Sequence, residues 1–132
     1  MLLTGDVTGE IEPEICNIYE WIETENGLFN GEEKRRIDVL KVAHHGSRYS
    51  TTEQFLERIS PRYAIISAEK KNVYGHPHEE TIERLFESGS AILETPECGA
   101  VTVEVNEDGQ AEVKSFINAK KDREGGLFLM KS

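Results

Sequence analysis

Short apolar runs in this chain alternate with stretches of helical period, and the early runs each lead into residues able to do chemistry. Residues 1–4 (MLLT) end on Gly5-Asp6, residues 39–43 (VLKVA) run into His44-His45-Gly46-Ser47, and residues 63–67 (YAIIS) precede a loop, 69–78, that carries His76-Pro77-His78. A run as uniformly apolar as YAIIS reads as a strand buried on both faces, which pairs in parallel through helical crossovers. Ile15, Ile18, Tyr19 and Ile22 supply the spacing of an amphipathic helix over residues 14–24. Glu10, Glu12 and Glu14 lie near its start, where the helix dipole favours negative charge. Turn signals follow at Asn26-Gly27 and Asn30-Gly31, with a polar bridge over residues 32–36.

Ser50, Thr51 and Thr52 offer N-caps for a second helix, whose face is Phe55, Leu56 and Ile59 before Pro61. A third helix is expected over residues 79–87, with Ile82, Leu85 and Phe86 on one side and Gly89 as its C-cap. The last third changes character: residues 91–94, 100–105 and 112–117 read as strands, the last two joined by a hairpin turn at Asn106-Glu107-Asp108-Gly109. Residues 127–130 are expected to add an edge strand or a contact to another chain. The expected class is therefore α/β, a mixed β-sheet with flanking helices, parallel early and antiparallel late. Residues 1–118 form the domain, and 119–132 read as a charged C-terminal tail.

All four histidines fall in the two clusters, His44-His45 and His76-Pro77-His78. Ligands of open α/β sheets collect at the carboxyl ends of the strands, so both clusters and Asp6 are placed to share one rim. Taken singly, Asp6 reads equally as a turn residue, and His76-Pro77-His78 as the start of a helix with Pro77 in the first turn. Adjacent imidazoles after a buried strand need partners or a metal. A carboxylate with neutral imidazoles suits zinc, and a carboxylate-richer set suits manganese. Other nucleophiles fare worse: Ser47 lacks the GxSxG setting, and Cys16 lies on a helical stripe without a local histidine. Cys16 and Cys98 have no CxxC spacing and read as small buried thiols.

The net charge of −10 opposes phosphate backbones, so nucleic acid is expected to bind only where a metal supplies local positive charge. No apolar run approaches the roughly 20 residues that span a bilayer, so direct membrane insertion is not expected. The first residues read as a strand rather than a signal peptide, which is odd for a natural N-terminus, the expectation being a truncation, either of the gene or of the expressed piece.

The phrases LLTGD (2–6), DVLKVAHHGS (38–47) and YGHPH (74–78), followed by ECGAVTV (97–103), together resemble the C-terminal part of the metallo-β-lactamase-like domain of ComEC-type competence proteins. The resemblance covers about residues 1–105. It implies the C-terminal half of a four-layer αββα sandwich with a metal centre at the sheet edges. It also implies Asp6 as a metal-bridging carboxylate and His44 as a metal ligand. His45 is the alternative ligand, and otherwise contacts the substrate or supports the site. His76 and His78 are implied near a substrate phosphate, so that His45, His76 and His78 are the candidate catalytic residues. The main ligand motif of that superfamily, HxHxDH or HxDxDH, is absent from this sequence, and no other histidine replaces it.

The function expected is therefore that of a fragment of a metal-dependent phosphodiesterase or nuclease linked to DNA uptake, inactive alone, with zinc or manganese in the full domain. A second expectation is a non-catalytic module that self-associates or assembles with a separate N-terminal half, because an incomplete domain exposes apolar sheet surface. A third keeps the fold and changes the substrate to a small phosphoester. The family domain is tethered to the cell membrane, but the sequence leaves the compartment of this chain open.

Overall fold

A computed structural model of the protein describes residues 1–25, 36–117, 119–121 and 127–129. The turn signals at Asn26-Gly27 and Asn30-Gly31, and all but the last residue of the polar bridge, fall outside the described residues. The elements are β1 (Leu2–Leu3), α1 (Glu12–Glu25), β2 (Val39–Lys41), α2 (Glu53–Ile59), β3 (Tyr63–Ile66), α3 (Glu79–Glu87), β4 (Ala91–Glu94), α4 (Thr95–Cys98), β5 (Val101–Val105), β6 (Ala111–Ser115), β7 (Ala119–Lys121) and β8 (Leu127–Leu129).

The apolar runs do become parallel strands. β1, β2, β3 and β4 are neighbours in that order and pair in parallel, in register Leu2 to Leu40, Leu40 to Ala64 and Ala64 to Ile92. Pleating sends alternate side chains to opposite faces. Leu40, Ala64, Ile66 and Ile92 meet Phe55, Leu56, Ile59 and Leu85 from the helices. Val39, Ile65 and Leu93 meet Cys98 and the inner residues Val101, Val103, Ala111 and Val113 of the β5–β6 hairpin. Strands β2, β3 and β4 are buried on both faces because helices cover one and a second, two-stranded sheet covers the other. In the segment read as a tail, β7 pairs antiparallel with β4, and β8 pairs antiparallel with β7.

Helix α1 is the right element in a different rotation. The expected stripe of Ile15, Ile18, Tyr19 and Ile22 is only half buried: Ile18 and Ile22 face solvent, while Cys16 and Glu12 are each 1% exposed. The cause is Glu12, whose carboxylate accepts hydrogen bonds from the backbone N–H of Thr51 and from the N–H and hydroxyl of Thr52 at 2.9 and 2.6 Å. These bonds turn the line Glu12, Cys16, Tyr19 toward the core at i, i+4 and i+7. A charge-assisted anchor has outweighed a fully apolar face.

Thr52 caps α2 as expected, accepting the N–H of Phe55. At the end of α3 the C-cap is Ser88 rather than Gly89. Gly89 follows it, its N–H donating to the Phe86 carbonyl while Ser90 N–H donates to Leu85, the paired bonds of a Schellman ending. Short α4, between β4 and β5, carries Pro96 in its first turn and buries Cys98; the sequence reading passed over it because four residues give no period. Both cysteines are buried and unbridged. No described helix is long and apolar enough to cross a membrane.

Candidate functional site

The parallel strands deliver their following residues to one edge, and backbone bonds sew that edge together. After β1, the Thr4 hydroxyl donates to the Lys41 carbonyl at 2.6 Å, and His44 N–H donates to the Gly5 carbonyl at 2.8 Å. The loop bearing Asp6 is thus fixed against the residue following β2. Lys41 lies within electrostatic reach of Asp6. Burial lowers the pKa of its ammonium, the Asp6 charge opposes that shift, and the ammonium donates to the Val42 carbonyl at 3.0 Å.

Strand β2 was expected to run to residue 43, but it ends at Lys41; Val42 is still extended, with its N–H on the Ile65 carbonyl, and the chain turns left-handed at His44. His44, His45 and Gly46 take φ values of 47°, 57° and 86° in succession. Such dihedrals cost a non-glycine residue roughly 1–2 kcal/mol each, and strain of this kind collects at functional sites. At Gly46 a side chain has no room: a Cβ would stand 2.6 Å from Cβ of Pro77. His78 N–H donates to the Gly46 carbonyl at 3.0 Å, which docks the second histidine cluster on the first.

The loop before α3 is held by one side chain. The Asn72 carboxamide donates to the carbonyls of Glu69 and His76 at 2.9 and 2.6 Å, and accepts His76 N–H at 2.8 Å. His76 becomes the centre of the histidine group. Its ring centroid is 5.7 Å from that of His44, 6.5 Å from His45 and 4.8 Å from His78. Burial, followed by the charge that His78, His44 and His45 can carry, lowers the pKa of His76 below its ordinary value.

Hydrogen bonding gives two of the imidazoles opposite polarity. His45 Nδ1 lies 2.6 Å from the Ser67 carbonyl, which only accepts, so Nδ1 carries the proton and neutral His45 presents a lone pair at Nε2. His78 Nδ1 accepts the N–H of Arg48 at 3.1 Å, so neutral His78 presents an N–H at Nε2. Arg48 pairs with Glu80 at 2.9 Å on the exposed surface. A cavity of about 400 Å³ opens here, lined by His44, Arg48, Tyr49, Tyr74, His76 and His78. This cavity can present an imidazole donor and a guanidinium to an anionic group, while His45 lines an adjoining cavity of about 210 Å³ that shares Tyr74 and His76 with it.

Of the residues singled out from sequence, His44, His45 and His78 are gathered round His76, while Asp6 is near Lys41 and is tied to this edge only by its neighbour Gly5, whose carbonyl accepts the His44 N–H. Among the described residues, however, no three histidine, cysteine, aspartate or glutamate side chains are arranged to hold a metal ion. The donors present do not fit a cation by themselves. Sequence reasoning missed Arg48, Tyr49, Asn72 and Tyr74. The first two directly follow the HHGS phrase, and Tyr74 belongs to the YGHPH phrase itself.

No protein-family model and no solved structure matches the chain. Among curated proteins it is 38% identical over 100 residues to ComE operon protein 3 of Bacillus subtilis, 76% of this chain and 11% of that protein. It is 37% identical over 101 residues to Competence protein ComA of Neisseria gonorrhoeae, 76% of this chain and 13% of that one. Against Recombination protein 2 of Haemophilus influenzae it is 42% identical over 73 residues, 55% of this chain and 9% of the relative. The chain spans about a tenth of the length of these relatives and, on this similarity, belongs to the ComEC-type competence family.

Proposed function

We propose that the chain is the phosphate-handling part of a metallo-β-lactamase-like phosphodiester hydrolase domain serving DNA uptake, and that it is inactive alone. The observation that carries this reading is the opposite polarity of His45 and His78 at one strained rim. The His78 Nε2–H and the Arg48 guanidinium suit the non-bridging oxygens of a phosphodiester, and the His45 lone pair suits a proton or a cation. Helices on one face of the main sheet and a small second sheet on the other agree with half of an αββα sandwich. Asp6 and His44 are the donors that the resemblance to the family implies for zinc or manganese. Because these donors do not make a cation site unaided, the reading assigns the remaining ligands to residues bearing the HxHxDH motif elsewhere in the full domain.

A second reading, an interaction module, is favoured by one observation: Ile11, Ile18 and Trp21 on and beside α1 are all about half or more exposed, and Leu3 stands exposed on edge strand β1. Both readings predict that this chain assembles with a separate polypeptide bearing the motif. The hydrolase reading adds turnover. The test is to measure hydrolysis of bis-nitrophenyl phosphate with added manganese or zinc, together with sedimentation equilibrium, for the chain alone and mixed with such a polypeptide. The expected result is no metal-dependent turnover alone, and turnover in the mixture that is lost in His78→Gln. Chelator-sensitive cleavage by the chain alone contradicts the claim of inactivity. An assembled mixture without turnover leaves the interaction module in its place.

A further inference from the structure

We propose that Tyr74 and Tyr49 are base-stacking residues, which makes the substrate of this rim a polynucleotide strand with unpaired bases. The proposal rests on the phosphodiester reading and adds its substrate class.

The two tyrosines are 73% and 75% exposed, yet both line the cavity that His44, His76 and His78 border. Single exposed apolar residues need no explanation, but two aromatic rings on one functional cavity do. The Tyr74 ring lies 5.8 Å from His76 at an interplanar angle of 25°, and His76 lies 6.5 Å from His45 at 19°. His76 thus has two rings at shallow angles to it, and one of these, Tyr74, is exposed.

The ring is also held in place. The Asn72 bonds to Glu69 and His76 close the loop around Val73, Tyr74 and Gly75, and the inner face of the tyrosine rests on an imidazole. A ring already held loses little conformational freedom when a flat partner arrives. Tyr49 sits beside Arg48, whose N–H is tied to His78, so it too projects from a fixed segment.

Charge decides what kind of force such a surface uses. With a net charge of −10, the molecule gains little from neutralising phosphates, which is how duplex binders obtain most of their affinity. Stacking on an aromatic ring is independent of that balance and requires only an exposed π-face. Bases in a duplex already stack on one another, whereas an unpaired base can turn onto Tyr74 while its phosphate lies toward His76 and His78. Such an arrangement is indifferent to base identity, because every base has a π-face.

The test measures fluorescence anisotropy of the 132-residue chain with three probes. These are an oligothymidylate of about ten nucleotides, an abasic phosphodiester of equal length and a matching duplex. The oligothymidylate is expected to bind most tightly, through stacking and without added metal, in place of the metal-dependent binding that the net charge alone led us to expect. Tyr74→Ala and Tyr49→Ala should each weaken it roughly five- to hundredfold, and Tyr74→Phe should restore it. Both positions are on the surface, so the substitutions leave the core intact. The abasic probe should bind wild type weakly and be unaffected by either alanine. Equal binding of abasic and base-bearing probes, both weakened by His78→Gln, overturns stacking and leaves the phosphate reading standing. Preference for the duplex overturns stacking as well, and so does binding of no probe by wild type, whereas the phosphate reading falls only if the mixture with the motif-bearing polypeptide shows no turnover.

Discussion

Gly46→Ala is expected to destabilise the protein by about 3 kcal/mol, measured by urea denaturation. Two penalties combine. Alanine is strained at φ 86°, and its methyl would meet the Pro77 ring, with contacts of 2.6 Å to Cβ and 3.1 Å to Cα. Pro77 cannot swing aside as the end of a long side chain would, because His78 N–H on its far side is bonded to the Gly46 carbonyl. Relief therefore requires the His44-His45-Gly46 turn and the loop before α3 to separate, which dismantles the histidine group along with the packing. Gly5→Ala is the control. Gly5 has φ 54°, and a methyl there would meet nothing within 4 Å, so the dihedral penalty of about 1 kcal/mol acts alone. Equal losses for the two alanines would show that the Gly46–Pro77 contact is not as close as described.

Glu12→Ala is expected to cost about 3 kcal/mol, and Glu12→Gln about 2 kcal/mol, in the same measurement. Glu12 is 1% exposed and accepts three hydrogen bonds, two of them from backbone N–H groups that have no water to turn to once the carboxylate is gone. Glutamine keeps the shape but replaces one acceptor with an NH₂ group, which then faces a donor. Alanine leaves both N–H groups bare and opens a cavity beneath α1. Because those N–H groups belong to Thr51 and Thr52, at the end of the segment that starts with HHGS, the effect should reach the histidine rim. A loss below about 0.5 kcal/mol in both variants would mean that this carboxylate is not the anchor of α1.

Much of the fold was legible because it depends on local pattern. The uniform apolarity of residues 63–67 marked a strand covered on both faces, and the parallel direction of the early strands followed from the helices between them. What stayed hidden depends on contacts distant in sequence. The rotation of α1 comes from a bond between Glu12 and residues about 40 positions away, which helical periodicity cannot register. The same limit applies to the site. That His44, His45, His76 and His78 would meet was legible from their places at strand ends. The left-handed turn at His44 and His45 was not, since a non-glycine residue ordinarily avoids it and the bonds that hold it, to Gly5, Ser67 and His78, come from elsewhere in the sequence. Nor could spacing disclose which nitrogen of His45 or His78 carries a proton, because the Ser67 carbonyl and the Arg48 N–H decide it.

Histidines from two separate loops form one group at a single rim. Titrating the histidine side chains by NMR tests this grouping most directly. His76 should titrate below its ordinary value of 6.5, because burial and then its histidine neighbours disfavour its charge. In His78→Gln the His76 value should rise, since one of those neighbours is gone. The same sign carries over to stability: with a folded pKa below the unfolded one, the unfolded chain takes up this proton first. Stability is therefore lost as pH falls from about 6.5 toward the folded value. A His76 that titrates in the ordinary range and ignores the loss of His78 would contradict the grouping of the histidines and the site built on it.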